Sequence, residues 1–367
     1  MSADDPKQTY LSLLARWQRP AGCGHMLSLK VVPIEDQMKR REFITLIGGA
    51  GALPILHPLA AQAQQSMKQH RIAYLALLSG ENTIYVKPLL QRLEELGYRE
   101  GQNMVWDYRS AEGRTELLAE LASELIRTGP DVLIGGWGTL APKAAIAATR
   151  SIPIVFTSVG DPVGAGLVKS LSEPGGNATG MSALAADIAA KKLQLLNDLV
   201  PGRKLVAVLG NPDTPYTALA LKQVKTAATI MEVPLAVFDA RTVDEAPRAI
   251  DRAIDAGAAS MLVFEDPVLL GALRQIIDRV AKARLPAIFG PRECAAAGGL
   301  IAYGPDQNHA YRKAADYVDK ILKGASPASL PVEQPTKFEL VINLKAAREL
   351  GLSISPTLLV SADEVIE

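Results

Sequence analysis

The sequence predicts an α/β protein made of two doubly wound parallel-sheet lobes joined by a multi-strand hinge. Three observations carry that expectation. Short apolar runs alternate with amphipathic stripes from residue 71 onward. The alternation falls into two blocks of about four strand–helix units each. A segment rich in turn formers, 173–180, stands between the blocks. Strands alternating with helices of this length argue for parallel sheets covered on both faces.

The first block opens on the run 71–78, apolar almost throughout, as a strand buried on both faces would be. Val86, Leu89, Leu90, Leu93 and Leu96 then recur at spacings of three and four, and Gly97 stops the helix. Residues 103–109 read as a strand, and Leu117, Leu118, Leu121 and Leu125 as the next helix face. A strand at 131–134, an alanine-rich helix at 140–149 and a strand at 152–156 complete the block. In the second block, helices at 185–199, 216–231, 244–256 and 268–283 lead to strands at 205–209, 235–238, 260–264 and 286–289. A helix at 307–323 ends at Gly324, and the proline-rich 327–335 leads to a strand at 338–342.

Crossings between lobes are expected at 173–180 and at 296–300, both turn-rich. Repeated crossing makes a hinge that permits closure while holding the lobes in register. The expected division is 71–179 plus 302–330 for the first lobe, and 180–300 plus 335–367 for the second.

Residues 1–63 read as an address rather than as fold. Arg40 and Arg41 form a basic pair ahead of a run, 43–63, that carries no formal charge. Gly48, Gly49, Gly51, Pro54 and Pro58 interrupt that run too often for a comfortable membrane span. It ends in Ala61-Gln62-Ala63, small residues where a signal peptidase reads. The pattern resembles a twin-arginine export signal cleaved near Ala63, with either Met1 or Met38 as the start. A periplasmic location follows as an expectation.

Composition excludes several classes. Lys+Arg and Asp+Glu both count 39 in the 367 residues, which leaves no global field to draw in nucleic acid. Without 1–63 the balance is 32 positive against 34 negative. Cleavage would remove Cys23 and leave Cys294 alone, which rules out a disulfide framework. His25, His57, His70 and His309 are scattered without metal-ligand spacing. No cofactor is expected.

Several stretches together resemble a known family. They are 94–98 with 100–103, 152–156, 160–168, 174–180 and the ending 341–352. Of these, the Gly160 to Gly180 region is the most specific. The chain is similar to ABC-transporter substrate-binding proteins of the tryptophan/tyrosine type, and the resemblance covers nearly all of 71–367. It implies a type I periplasmic-binding fold and a monomeric receptor that hands a small molecule to the membrane permease of an importer. It also implies amino acids or related aromatic carboxylates as ligands, and no catalysis.

Ligands of open parallel sheets bind beyond the carboxyl ends of the strands. In the first block that rule nominates Ser79 and Gly80, Trp137, Gly138 and Thr139, and Ser158 with Asp161. In the second it nominates Asn211 and Tyr216, Glu265 and Asp266, and Glu293. Gly138 and Thr139 open a helix, where a carboxylate is favoured. Asp161 or Glu265 suits an ammonium, and Trp137 and Tyr216 suit an aromatic wall. Asp, Ser and Thr at such turns are also ordinary helix caps. The reading needs a gap between the lobes, lined by strand tips.

The alternative is a nicotinamide-dependent oxidoreductase, because 136–141 fits a dinucleotide fingerprint and Asp161 follows at 25 positions. Against it, the motif follows the third strand rather than the first, and no acid–base set accompanies it. A sugar-sensing repressor would need a DNA-binding module where the export signal stands.

Overall fold

The computed structural model describes residues 68–78 and 85–367. The expected export signal lies outside the described residues. Gln64–Glu367 forms one compact unit, within which the chain builds two sheets.

The first sheet holds β1 (His70–Ala76), β2 (Met104–Ser110), β3 (Val132–Gly135), β4 (Ile154–Val159) and β5 (Ala178–Ser182), with helices α1 (Val86–Glu95), α2 (Leu118–Arg127) and α3 (Leu140–Ala148) between them. Its order is β2-β1-β3-β4-β5, every pair parallel. The second lobe begins with α4 (Ala185–Leu199), β6 (Val206–Gly210), α5 (Pro215–Met231), β7 (Leu235–Asp239), α6 (Glu245–Asp255) and β8 (Ser260–Val263). It continues through α7 (Pro267–Gly271), α8 (Leu273–Lys282), β9 (Ala287–Phe289), α9 (Arg292–Ala296) and β10 (Ile301–Pro305). Its strands run β7-β6-β8-β9-β10, the same winding as the first sheet.

Helix α10 (Gln307–Leu322) then returns to cover the first sheet. Its Tyr311, Ala314, Ala315 and Val318 share a core with Ile72, Tyr74, Ile134 and Val155. The chain finally adds β11 (Phe338–Asn343), antiparallel to β10, then α11 (Leu344–Leu350), α12 (Pro356–Val360) and β12 (Glu364–Ile366) at the edge of the second sheet.

Each sheet is buried on both faces, as the continuous apolar runs require. Along β1, Ile72 and Tyr74 enter one core while Ala73 and Leu75 enter the other. Along β6, Val206 and Val208 pack with α4 and α5, and Ala207 and Leu209 with α6 and α8. At about 25 cal/mol per Å² of apolar surface removed from water, these four clusters dominate the stability of the lobes.

The crossings differ from those expected. The turn-rich segment before β5 stays in the first lobe, because Asn177 donates to the carbonyls of Thr149 (3.1 Å) and Ile152 (2.8 Å). Strand β5 then pairs with β4, so residues 180–182 belong to the first sheet. Residues 297–300 form a turn inside the second lobe, and β10 pairs with β9, so 302–305 belong to the second sheet. The chain crosses three times instead. It passes at Ala183–Leu184, where Leu184 takes φ 48°, at Pro305–Asp306, and between Glu333 and β11. Ser182 N–H donates to the Glu333 carbonyl (2.8 Å) and Glu333 N–H to Gly180 (3.0 Å), which ties the first and third crossings together.

The helix read at 268–283 is two helices, parted at Ala272. Gly271 stands beside that break, where a Cβ would come within 3.2 Å of Leu78 and 3.1 Å of Val243.

Gly180 adopts φ 151°, and a Cβ there would lie 2.0 Å from the Phe156 carbonyl oxygen. Gly180→Ala is expected to lower unfolding stability by about 2–4 kcal/mol, through strain and loss of the β4–β5 ladder. Urea unfolding measures it, and an unchanged midpoint would refute this account of the pairing.

Candidate functional site

Both sheets reverse strand order at one point, between β1 and β3 in the first lobe and between β6 and β8 in the second. Loops leaving the carboxyl ends of the strands at such points form a crevice. Here the two crevices face each other. Gly138, at φ 87°, lies so near the second lobe that a Cβ would be 2.7 Å from Pro267. A Cβ on Gly160 would be 2.7 Å from the Tyr216 ring. The Tyr85 hydroxyl donates across the seam to Glu293 Oε2 at 3.4 Å.

The lobes are therefore shut, and the expected gap is nearly filled. Spaces of about 20 Å³ and 10 Å³ lie in the seam among the described residues. Each is about the size that holds one water. Trp137 and Glu265 line both. A larger cavity of about 270 Å³ lies at the hinge, walled by the three crossings. Ser158 lines it as well as the smaller seam space.

Among the described residues, those that the first lobe gives to the two seam spaces are uncharged and include the aromatic Trp137. Trp137 is 3% exposed and its ring lies 6.0 Å from that of Tyr85. Tyr85 stacks on Tyr311 at 5.5 Å, and the Tyr311 hydroxyl is 3.2 Å from that of Tyr74. Burial, with Glu293 nearby, pushes the Tyr85 phenol well above its ordinary range, so it stays a donor. Gly138 N–H is taken by the Ser158 carbonyl (2.9 Å). Helix α3 begins after Thr139 with no side-chain cap, although Thr139 is buried at the seam. The sequence-level possibility that Thr139 is only a cap is not realised. Pro142 has no N–H, so Leu140 and Ala141 supply the free first-turn donors of this helix, and a helix start of this kind favours an anion. The Ser158 hydroxyl is buried without a partner.

The wall from the second lobe is acidic. Glu265 leaves the end of β8 and its Oε1 accepts from the ammonium of Lys192, on α4. Both side chains are buried, at 3% and 1% exposure. Gly290 makes room for them, since a Cβ there would fall 2.1 Å from Glu265 Cγ. No donor among the described residues reaches Glu265 Oε2. Tyr216 packs edge-on against Phe264 at 5.8 Å, with its hydroxyl buried and unpartnered. Burial, then the negative charge of Glu265, holds its phenol well above the usual range. Glu293 lies at the start of α9, its carboxyl raised by burial.

Other nominated residues have structural work. Asp266 caps α7, accepting from Val268 N–H (2.8 Å) and from Thr214 (2.6 Å), and burial raises its carboxyl pKa. Asn211 reaches Asp266 at 3.4 Å and accepts from Asp213 N–H at 3.1 Å. Asp161 accepts from Gly164 N–H (2.7 Å) within its own turn and lines neither seam space. Ser79 and Gly80 lie outside the described residues.

Sequence reasoning missed Lys192 and Tyr85. Lys192 could have been found, because it recurs with Ile188, Ala189, Leu195 and Leu196 on the buried face of α4. Tyr85 immediately precedes α1 and offered no periodicity.

Gly138→Val is expected to hold the lobes apart, because its side chain would meet Pro267. Small-angle scattering should report a larger radius of gyration than that of the unmodified chain. Equal radii would mean that the seam does not depend on this contact.

The residues that gave the seam its geometry lie within a longer similarity. The family model described as ABC transporter substrate binding protein matches residues 71–366. The chain is 30% identical over 283 residues to a tyrosine-binding protein of Clostridioides difficile strain R20291, covering 76% of this chain and 80% of that one. It resembles the solved structure of a conserved domain protein from Vibrio cholerae, with TM-score 0.77 and 30% identity over 81% of this chain and 100% of the other. It also resembles an ABC domain in complex with L-Trp from Streptococcus pneumoniae, with TM-score 0.75 and 26% identity over 82% and 100%. Nothing in these matches supports the nicotinamide alternative. Because the match runs through both lobes and all three crossings, the chain belongs to the ABC transporter substrate-binding protein family.

Proposed function

We propose that this chain is the extracytoplasmic receptor of an ABC importer, and that it closes its lobes over an amino acid with an aromatic side chain. The observation that carries this reading is the pairing of unmet polar groups across the seam. Glu265 Oε2 suits a ligand ammonium, and the uncapped start of α3 suits a ligand carboxylate. Trp137 and Tyr216 both line the space between, where they could flank a flat ring. The names of two relatives, one tyrosine-binding and one solved with L-Trp, support the same ligand class.

The two seam spaces are too small for such a guest, so entry requires opening at the three crossings. Only contacts made in the closed form can then favour closure. The Arg40–Ala63 segment supplies export in this reading, with cleavage near Ala63 and a monomer as the working form. No helix among the described residues is long and apolar enough to cross a membrane.

Calorimetry with L-tyrosine and L-tryptophan tests the ligand class. A micromolar dissociation constant, about −8 kcal/mol, is expected for at least one. Binding of neither would end this reading. Glu265→Gln is expected to weaken binding at least about tenfold, because a dry ammonium contact loses its charge partner. An unchanged affinity would remove Glu265 from the site.

A further inference from the structure

Lys192 is the buried cation that the proposed contacts leave unused. Among the described residues no other Lys or Arg is buried. Its neighbours on the inner face of α4 are Ile188, Ala189, Leu195 and Leu196, all apolar. A methionine or leucine there would pack without desolvating a charge, and a buried ion pair is weak evidence for stability in itself. Something other than packing accounts for an ammonium at this position.

The acids around it supply the reason. Glu265 pairs with Lys192 from α4 and lies beside Tyr216 from α5 and Cys294 from α9, with Asp266 next to it in the chain and Glu293 next to Cys294 on α9. Three carboxyls thus share one wall with one cation. The Asp266 and Glu293 carboxyls are both pushed up by burial. A carboxyl shut in a dry seam takes up a proton unless a cation opposes it, and Lys192 is the cation that contacts Glu265. A protonated Glu265 would donate a hydrogen bond where the proposed ligand ammonium needs an acceptor.

We propose that Lys192 is a positioning residue for the ligand's ammonium group: by pairing with Oε1 it keeps Glu265 an ionised acceptor whose Oε2 faces the closing seam. The inference rests on the aromatic amino-acid reading above and adds to it how the site stays charged once water has left. Lys192 touches no ligand in this scheme and acts only through Glu265. The charges then close on zero. The ion pair is neutral, and a zwitterionic guest adds an ammonium at Glu265 and a carboxylate at α3.

The test uses the full mature chain with Lys192→Met, which keeps the length and removes the charge, and Lys192→Arg, which keeps the charge. L-tyrosine and its desamino analogue 3-(4-hydroxyphenyl)propanoate are titrated by calorimetry from pH 5.5 to 8.5. The unmodified chain is expected to bind tyrosine with little dependence on pH. Lys192→Met should weaken tyrosine about thirtyfold or more at pH 6 and recover much of it by pH 8.5, as Glu265 ionises. It should leave the desamino analogue within about threefold, and Lys192→Arg should retain the flat profile. A flat, unshifted tyrosine profile in Lys192→Met overturns the proposal, and so does equal loss of both ligands.

Infrared spectroscopy of the ligand-free chains gives a readout that needs no ligand. Lys192→Met should show a protonated-carboxyl band that Lys192→Met/Glu265→Gln lacks, and absence of that band overturns the proposal even where tyrosine does not bind. Failure of the unmodified chain to bind either aromatic amino acid would strike the ligand reading, while the infrared band still decides on Lys192. If Lys192→Met does not fold, folding of Lys192→Met/Glu265→Gln shows the same need for a counter-charge. Failure of both to fold reduces Lys192 to packing.

Discussion

The structure depends on two sheets wound alike and joined by three crossings. In a parallel sheet every strand ends on the same side, so every loop that leaves a carboxyl end converges there. Each lobe repeats the same order, with its first strand between the second and third. The crossings set these converging edges face to face. Backbone bonds between Ser182, Glu333 and Gly180 bind the first and third crossings into one ribbon. A rotation between the lobes would therefore have to be taken up by a few residues near Leu184, Asp306 and 334–337, as hinges of this kind do.

The two walls brought together in this way are chemically unlike. The first lobe offers rings, hydroxyls and the open end of α3. The second offers carboxyls and a single buried ammonium. The uncapped start of α3 and the carboxyl of Glu265 thus stand on opposite walls. Under the proposed reading, a dipolar guest would be held in one orientation between these two ends. Water exclusion sharpens this discrimination, since charges interact more strongly in a low-dielectric space.

Much of this was legible in the sequence. The alternation of apolar runs and helical stripes gave nearly every long element, and helix 185–199 stands where its periodicity placed it. The crossings were misplaced because glycine and proline mark turns without saying which sheet the next strand joins. Asn177 is a turn former by type, yet its carboxamide fastens β5 to the first lobe, and only pairing reveals that. In the candidate site, the strand-tip rule nominated Trp137, Gly138, Thr139 and Glu265, which the fold brings to one seam space. It could not separate them from Asp161 and Asp266, because a carboxylate that caps its own turn and one that faces a seam have the same local sequence. Lys192 was overlooked because a lysine in a helix reads as solvated, although its spacing placed it on the buried stripe.

Closure without a guest carries a cost that is visible in the polar groups left unmatched. The Ser158 and Tyr216 hydroxyls are buried without hydrogen bonds on opposite sides of the seam. Leaving a buried polar group unsatisfied costs about 1–3 kcal/mol. An open form returns both groups to water and relieves that cost, but it exposes Trp137 and the Glu265 pair. A ligand gains affinity for the closed form to the extent that it supplies the missing partners and covers the rings at once. A purely apolar guest would fill space and leave the hydroxyls stranded, while a small polar one would satisfy them and leave the rings wet. On the proposed reading, the seam would select for molecules that combine a ring with polar groups at fixed distance, through what closure leaves unpaired rather than through the area it buries.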